Sequence, residues 1–165
     1  MLIFKTNSPE DTFSFGQKMA GLVSAGDVFC LAGDLGAGKT LLTQGISAGL
    51  QVGDAVTSPT FAILNVYAAV LPIYHFDLYR LEHPAELTDI GFYEYIEGDG
   101  LAIIEWPDKF PAELPDEYLW IDIKTGDSPN ERLLCLRPRG VRYEQFGEEL
   151  KIIAGSCFRY SHPGV

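Results

Sequence analysis

VFCLAGDLGAGKT, from Val28 to Thr40, joins a five-residue apolar run to a glycine-rich loop and then to the start of a helix. The run Val28 to Ala32 carries no polar residue, which suits a strand buried on both faces of a sheet. Gly33, Gly38, Lys39 and Thr40 satisfy the pattern G-x-x-x-x-G-K-[ST], with a strand before it and a helix, Lys39 to Leu50, after it. Each part has a physical task. Glycines let the backbone turn so that successive N–H groups of Gly33, Asp34, Leu35, Gly36, Ala37 and Gly38 point into one concavity, and the helix N-terminus adds its positive dipole end. Lys39 reaches β- and γ-phosphates, and the Thr40 hydroxyl ligates Mg²⁺. A random chain of this length produces the pattern on the order of once in two hundred, before the strand and helix are required.

The flanking sequence points to an α/β layer structure, a P-loop-type single domain with a central mixed sheet flanked by helices. Leu2 to Phe4 reads as a strand. Ser8-Pro9-Glu10-Asp11 opens a helix running to about Ser24, with Phe13, Gln17, Ala20 and Val23 on its apolar face. Beyond the loop helix, Ala62 to Ala68 and Leu71 to Phe76 read as strands, Pro84 to Ile90 as a helix stopped by Gly91, and Leu101 to Ile104 as a strand. Tyr118 to Ile123 and Arg132 to Leu136, joined by the turn-rich TGDSPN, predict an antiparallel hairpin. Tyr143 to Ala154 closes the fold as a helix. The domain spans residues 1–155, and residues 156–165 are read as a loose tail.

The 165 residues suit one globular core, and 47% apolar with 12% aromatic residues is ample to fill it. No run of about 18 or more apolar residues appears, and the N-terminus lacks the basic start and apolar stretch of a signal peptide, so no membrane contact and a cytoplasmic location are expected. Cys30, Cys135 and Cys157 form no CxxC pair and read as reduced thiols that pack as small apolar groups. A formal net charge of −11 excludes direct gripping of DNA or RNA, which needs Lys and Arg to displace counterions. The one basic cluster, Arg137, Arg139 and Arg142, reads as a solvated edge after a strand.

A phosphate loop needs an acid at the end of a neighbouring strand to help hold Mg²⁺, and Glu105, directly after LAII, has that place. SPTF, Ser58 to Phe61, sets Thr60 in the loop after the phosphate-loop helix, either as a γ-phosphate sensor or as part of an ordinary turn. Asp77 ends the strand LPIYHF, either to orient an attacking water or to cap the turn into Leu78-Tyr79-Arg80. His75 reads as a hydrogen-bonded histidine on one side of that strand. Trp106 stands either beneath the metal site or at a partner surface.

GDLGAGKT, SPTF, HFDLYR (His75 to Arg80) and IEW (Ile104 to Trp106), in this order and at these separations, resemble the TsaE family, and the likeness covers roughly residues 5 to 150. The opening resembles S-x-E-x-T, with Ser8, Glu10 and Thr12. The resemblance implies a P-loop fold that binds ATP and Mg²⁺, with Lys39 on phosphate, Thr40 and Glu105 on the metal, Thr60 and Asp77 as switch and catalytic elements, and Thr12 near the nucleoside. It further implies the ATPase component of the bacterial machinery that places threonylcarbamoyl on the tRNA adenosine beside the anticodon. TsaB and TsaD are the implied partners, TsaD carrying the transfer chemistry while ATP turnover resets the complex, and tRNA is reached only through them. Hydrolysis by the chain alone is expected to be slow. Leu41 and Leu42 depart from the family, in which Thr and Phe are common there, so Leu41 would meet the α-phosphate through backbone alone.

Other classes fit less well. A small-molecule kinase usually carries an arginine-rich lid, whereas Arg80 is the one arginine between Thr40 and Arg132. A GTPase needs N-K-x-D, which is absent. A nucleotide-dependent scaffold without turnover shares every motif above.

Overall fold

A computed structural model of the chain describes residues 1–155, 158, 160 and 161. In chain order these are β1 (Leu2–Thr6), α1 (Pro9–Ala20), β2 (Val28–Ala32), α2 (Lys39–Gly49), β3 (Leu64–Tyr67), β4 (Ile73–Asp77), α3 (Ala85–Asp89), α4 (Phe92–Ile96), β5 (Leu101–Glu105), β6 (Tyr118–Thr125), β7 (Arg132–Arg139), α5 (Val141–Ala154) and β8 (Tyr160–Ser161). Two single 3₁₀ turns, Pro107–Lys109 and Pro111–Glu113, follow β5. The strands form one mixed sheet in the order β3-β4-β5-β2-β6-β7-β1-β8. Its centre is parallel, with β2 between β5 and β6 and β4 outside β5, and antiparallel partners close both sides.

Because side chains alternate along a strand, the all-apolar β2 feeds two cores at once. Phe29 and Leu31 point into one, with Phe15 and Met19 of α1, Leu42 and Ile46 of α2 and Phe146 of α5. Val28 and Cys30 point into the other, with Leu87 of α3 and Phe92 of α4. Burial pushes the Cys30 thiol far above the ordinary thiol pKa, so at neutral pH it packs as a neutral apolar group. Cys135 is also a buried free thiol, and Cys157 lies outside the described residues.

The predicted hairpin forms as β6 and β7, longer at both ends than its alternation suggests. Helix α1 stops at Ala20 rather than Ser24, because the next residues fold into a turn in which Ser24 N–H donates to Asp27 Oδ2 at 2.8 Å. Its buried face is only partly the expected one: Ala20 is buried as read, but Thr12, Phe15, Gly16 and Met19 join it while Gln17 is exposed. The strand β3 starts at Leu64 because Ile63 is left-handed (φ 69°) and its N–H closes a turn onto the Pro59 carbonyl at 2.6 Å. At three positions of the C-terminal segment read as a tail the chain is placed: Phe158 is buried, its ring 5.1 Å from that of Phe15, and Tyr160–Ser161 pairs with β1. The other residues of 156–165 lie outside the described residues.

Helices α1 and α2 cross with backbone against backbone. A Cβ on Gly16 would lie 2.7 Å from the Leu42 carbonyl oxygen, and one on Gly45 would overlap the Phe13 carbonyl. Gly45→Ala must therefore push the helices apart. We expect it to cost about 1–3 kcal/mol, the range for overpacked cores, read as a lower urea midpoint at unchanged slope.

Candidate functional site

The C-terminal ends of β2, β4 and β5 open onto one cavity of about 760 Å³, a size that accommodates a nucleotide-sized ligand. The loop after β2 forms its floor. Gly36 and Gly38 adopt φ of 79° and 113°, which a side chain would strain, and Gly38 caps the N-terminus of α2 in this left-handed conformation. Leu35 at the loop tip is 93% exposed.

Lys39 is buried at the first position of α2 and folds back over the loop that precedes it. Its Nζ donates to the carbonyls of Gly33 (2.5 Å) and Asp34 (3.2 Å) and lies 4.5 Å from the ring centroid of Trp106. The ammonium is thus held over the loop by two carbonyl dipoles and an aromatic face. Trp106, left open between two roles by the sequence, is a support for Lys39 and a wall of the cavity, with Tyr79 packed against it at 4.9 Å.

Asp77 and Glu105 are register partners at the ends of adjacent parallel strands, and both are buried. Asp77 Oδ2 accepts from the Thr60 hydroxyl at 3.0 Å, and its Oδ1 accepts from Tyr79 N–H. Thr60 has one proton to give, so the Ser58 hydroxyl, 2.8 Å away, is the donor in their mutual bond, and Thr60 retains acceptor capacity. Glu105 differs. Its Oε2 is buried with no hydrogen-bond partner among the described residues, and His75 Nε2 stands 3.4 Å from it without hydrogen-bond geometry. The hydrogen-bonded histidine expected at His75 is therefore not found: both ring nitrogens are buried without a hydrogen bond, and Nε2 is left with the Glu105 carboxylate at ion-pair distance.

Of the residues singled out by sequence, Thr12, Leu35, Gly36, Ala37, Gly38, Lys39, Thr40, Leu41, Thr60, Asp77 and Glu105 share this cavity. Gly33 and Asp34 do not line it; they face a groove beside the end of β6 and contribute their carbonyls to Lys39. Thr12 Oγ1 is 2.7 Å from Thr6 Oγ1, so it is tied to β1 at the cavity edge. The basic cluster is not a free patch either: Arg137 pairs with Asp122, Arg139 Nη1 donates to the Tyr118 hydroxyl, and Arg142 is held by Asp27 and the Leu22 carbonyl.

Sequence reading missed Asn130 and Arg132, which enter the cavity from the β6–β7 hairpin. No local pattern marks them; they arrive because β6 lies beside β2 and the chain turns back at the end where the phosphate loop sits. Glu131 between them anchors the turn. Its Oε2 lies 2.7 Å from Lys5 Nζ and its Oε1 accepts from Asp127 N–H at 3.0 Å, and these two contacts, Lys5 first, hold the carboxyl below the usual range. A carboxylate depressed in the folded state contributes its anchoring fully above the unfolded value, about 4.3, and loses it as pH falls through the folded value. We expect the Asp127 amide resonance to titrate with its midpoint below that of an ordinary glutamate; a midpoint at or above it would rule out the anchor.

The donor set fits a magnesium ion. The Glu105 carboxylate and the Thr40 hydroxyl belong to residues that border one cavity, and Mg²⁺ takes a few hard oxygen ligands while keeping waters. Among the described residues no group of three or more His, Cys, Asp or Glu is placed to hold a metal ion.

Strand, glycine loop and helix on a mixed sheet, with acids ending the adjoining strands, define a P-loop α/β fold. The crystal structure of YdiB from Bacillus subtilis has the same architecture, with a TM-score of 0.81 and 36% identity, covering 94% of this chain and 99% of that one. The family model described as threonylcarbamoyl adenosine biosynthesis protein TsaE matches residues 6–134, and the chain belongs to this family. Among its relatives, the tRNA threonylcarbamoyladenosine biosynthesis protein TsaE of Bacillus subtilis is 43% identical over 90% of this chain and 93% of its own length. The protein of the same name from Treponema pallidum is 38% identical over 78% and 95%. No helix among the described residues is long and apolar enough to cross a membrane.

Proposed function

We propose that this chain is a cytoplasmic, magnesium-dependent ATP-binding and ATP-hydrolysing subunit required for threonylcarbamoyl modification of the tRNA adenosine beside the anticodon, and that its ATP cycle drives or resets a TsaB–TsaD complex. The observation that carries the reading is the convergence of Lys39, Thr40, Thr60, Asp77 and Glu105 on one cavity. Relatives named for tRNA threonylcarbamoyladenosine biosynthesis supply the pathway.

In this reading Lys39 exchanges its two loop carbonyls for β- and γ-phosphate oxygens. Thr40 and Glu105 hold Mg²⁺, which when bound draws charge from the phosphate oxygens. Asp77 keeps Thr60 oriented through the 3.0 Å bond, and the spare acceptor capacity of the pair positions a water for attack. The backbone of the loop from Gly33 to Leu41 cradles the phosphates, and Thr12 borders the nucleoside end. A net charge of −11 is consistent with tRNA contact being made by the partners.

Single-turnover ATP hydrolysis, measured with and without TsaB, TsaD and tRNA, tests this. The rate is expected to rise when all are added. Equal rates would sink the partner-driven cycle, and phosphoryl transfer to a metabolite would replace it with kinase activity.

A further inference from the structure

The Arg132 side chain reaches from the start of β7 to the phosphate loop on the opposite side of the cavity entrance from β4. Three backbone carbonyls fix its guanidinium: Nε donates to Ala37 at 2.7 Å, and Nη1 donates to Pro129 at 2.7 Å and to Glu131 at 2.9 Å. A planar fork with five N–H donors and three of its bonds made cannot rotate freely. Among the described residues Nη2 meets no hydrogen-bond acceptor, and the residue borders the same cavity as Lys39 and Thr40. Two donors of a permanently charged group are therefore held ready beside a phosphate cradle.

The contact with Ala37 also acts on the loop itself. In a trans peptide the C=O and the following N–H point in opposite directions. Holding the Ala37 carbonyl on Arg132 turns the Gly38 N–H the other way, and the left-handed Gly38 permits that orientation. The hairpin is itself anchored, since Glu131 binds Lys5 and Asp127. The arginine is thus mounted on a fixed support and not on a mobile lid.

We propose that Arg132 is a phosphate-binding residue supplied by the β6–β7 hairpin: while Nε holds the phosphate loop, the Nη2 edge donates to a non-bridging oxygen of the bound nucleotide's phosphate chain. This rests on the nucleotide reading above and extends it to a cation that none of the motifs contains. Binding then ties the hairpin to the loop through one side chain, and a charge-assisted bond from a preoriented fork is stronger than one between neutral groups.

The test compares wild type, Lys39→Ala, Arg132→Ala and Arg132→Lys in calorimetric titrations with ADP, alongside the side-chain ¹⁵N resonances of Arg132 in the wild type. Arg132→Ala is expected to weaken ADP by about 10- to 100-fold, the span covered by a hydrogen bond to a charged group. Arg132→Lys, which keeps the charge and loses the fork, is expected to recover part of that loss, and it carries the test if the alanine variant does not fold. The Arg132 Nη resonances are expected to shift on ADP addition. Wild-type affinity in both Arg132 variants, with Lys39→Ala impaired, overturns the proposal and leaves the nucleotide site standing. Lost affinity with unmoved Nη resonances also overturns it, reducing Arg132 to a support for the loop. A wild type that binds no ADP removes the site and this role together.

Discussion

Lys39→Ala is expected to lower ATP turnover by about 10²- to 10³-fold, the usual effect of removing one preorganised donor from a developing negative charge. Lys39 is the group best placed for that effect. Its ammonium is buried, and its present partners are two carbonyls and an aromatic face, all of them neutral. A phosphate therefore competes for the same ammonium with a full charge against dipoles. Alanine leaves the carbonyls of the half-buried Gly33 and the exposed Asp34 unpaired in a loop that water reaches, so the fold should survive. Circular dichroism with single-turnover kinetics reads both quantities. Turnover within tenfold of the wild type in a folded variant would remove Lys39 from the chemistry.

Glu105→Gln should have two effects of opposite sign. A buried carboxylate oxygen without a hydrogen bond costs about 1–3 kcal/mol, more when it is charged, and His75 Nε2, 3.4 Å from Glu105 Oε2, does not supply that bond. Glutamine keeps the shape and removes the charge. In metal-free buffer the variant is expected to melt several degrees higher, since 1 kcal/mol shifts a domain of this size by about 2–4 °C. With ATP and Mg²⁺ the order should reverse, because the wild type gains the ion as a ligand and the variant binds it weakly. Thermal melts with and without Mg²⁺ and ATP are the measurement. A variant whose melting temperature responds to Mg²⁺ as the wild type does would show that Glu105 holds no metal. The exchange of stability for function would explain why so unfavourable a group is kept in the core.

The parts of this protein legible in its sequence are those whose physics is local. VFCLA followed by GDLGAGKT contains its own strand, turn and helix start, and β2 and α2 form where that pattern puts them. TGDSPN between two alternating runs likewise contains its own hairpin. The α1 face was only partly legible. Phe13 and Gln17 carry the apparent stripe, but the contact is centred on Gly16, whose missing side chain lets α2 approach and brings Phe15 and Met19 inward. Helix α4 is five residues long, too short for a periodicity to show. Thr60, Asp77 and Glu105 could each be named as site residues, yet their meeting depends on β4 and β5 being neighbours. Arg132 depends on a still longer chain of placements: β6 beside β2, then β7 returning beside β6. Its contribution is set by topology alone, and no spacing rule reaches it.

The register that makes Asp77 and Glu105 partners also fixes what this fold can tolerate. Strand side chains alternate between faces, so one inserted residue in β4 or β5 would turn its acid away from the cavity and send an apolar neighbour there instead. The connection between those strands, through α3 and α4, carries no such constraint, because its ends are held by the sheet whatever its length. Insertions and tags should be accepted at its exposed turn, residues 82–85, away from the buried Leu87 of α3 and Phe92 of α4, and refused inside either strand. The ladder of backbone bonds between β4 and β5 works as a ruler: it sets the distance between two carboxylates encoded far apart in the chain.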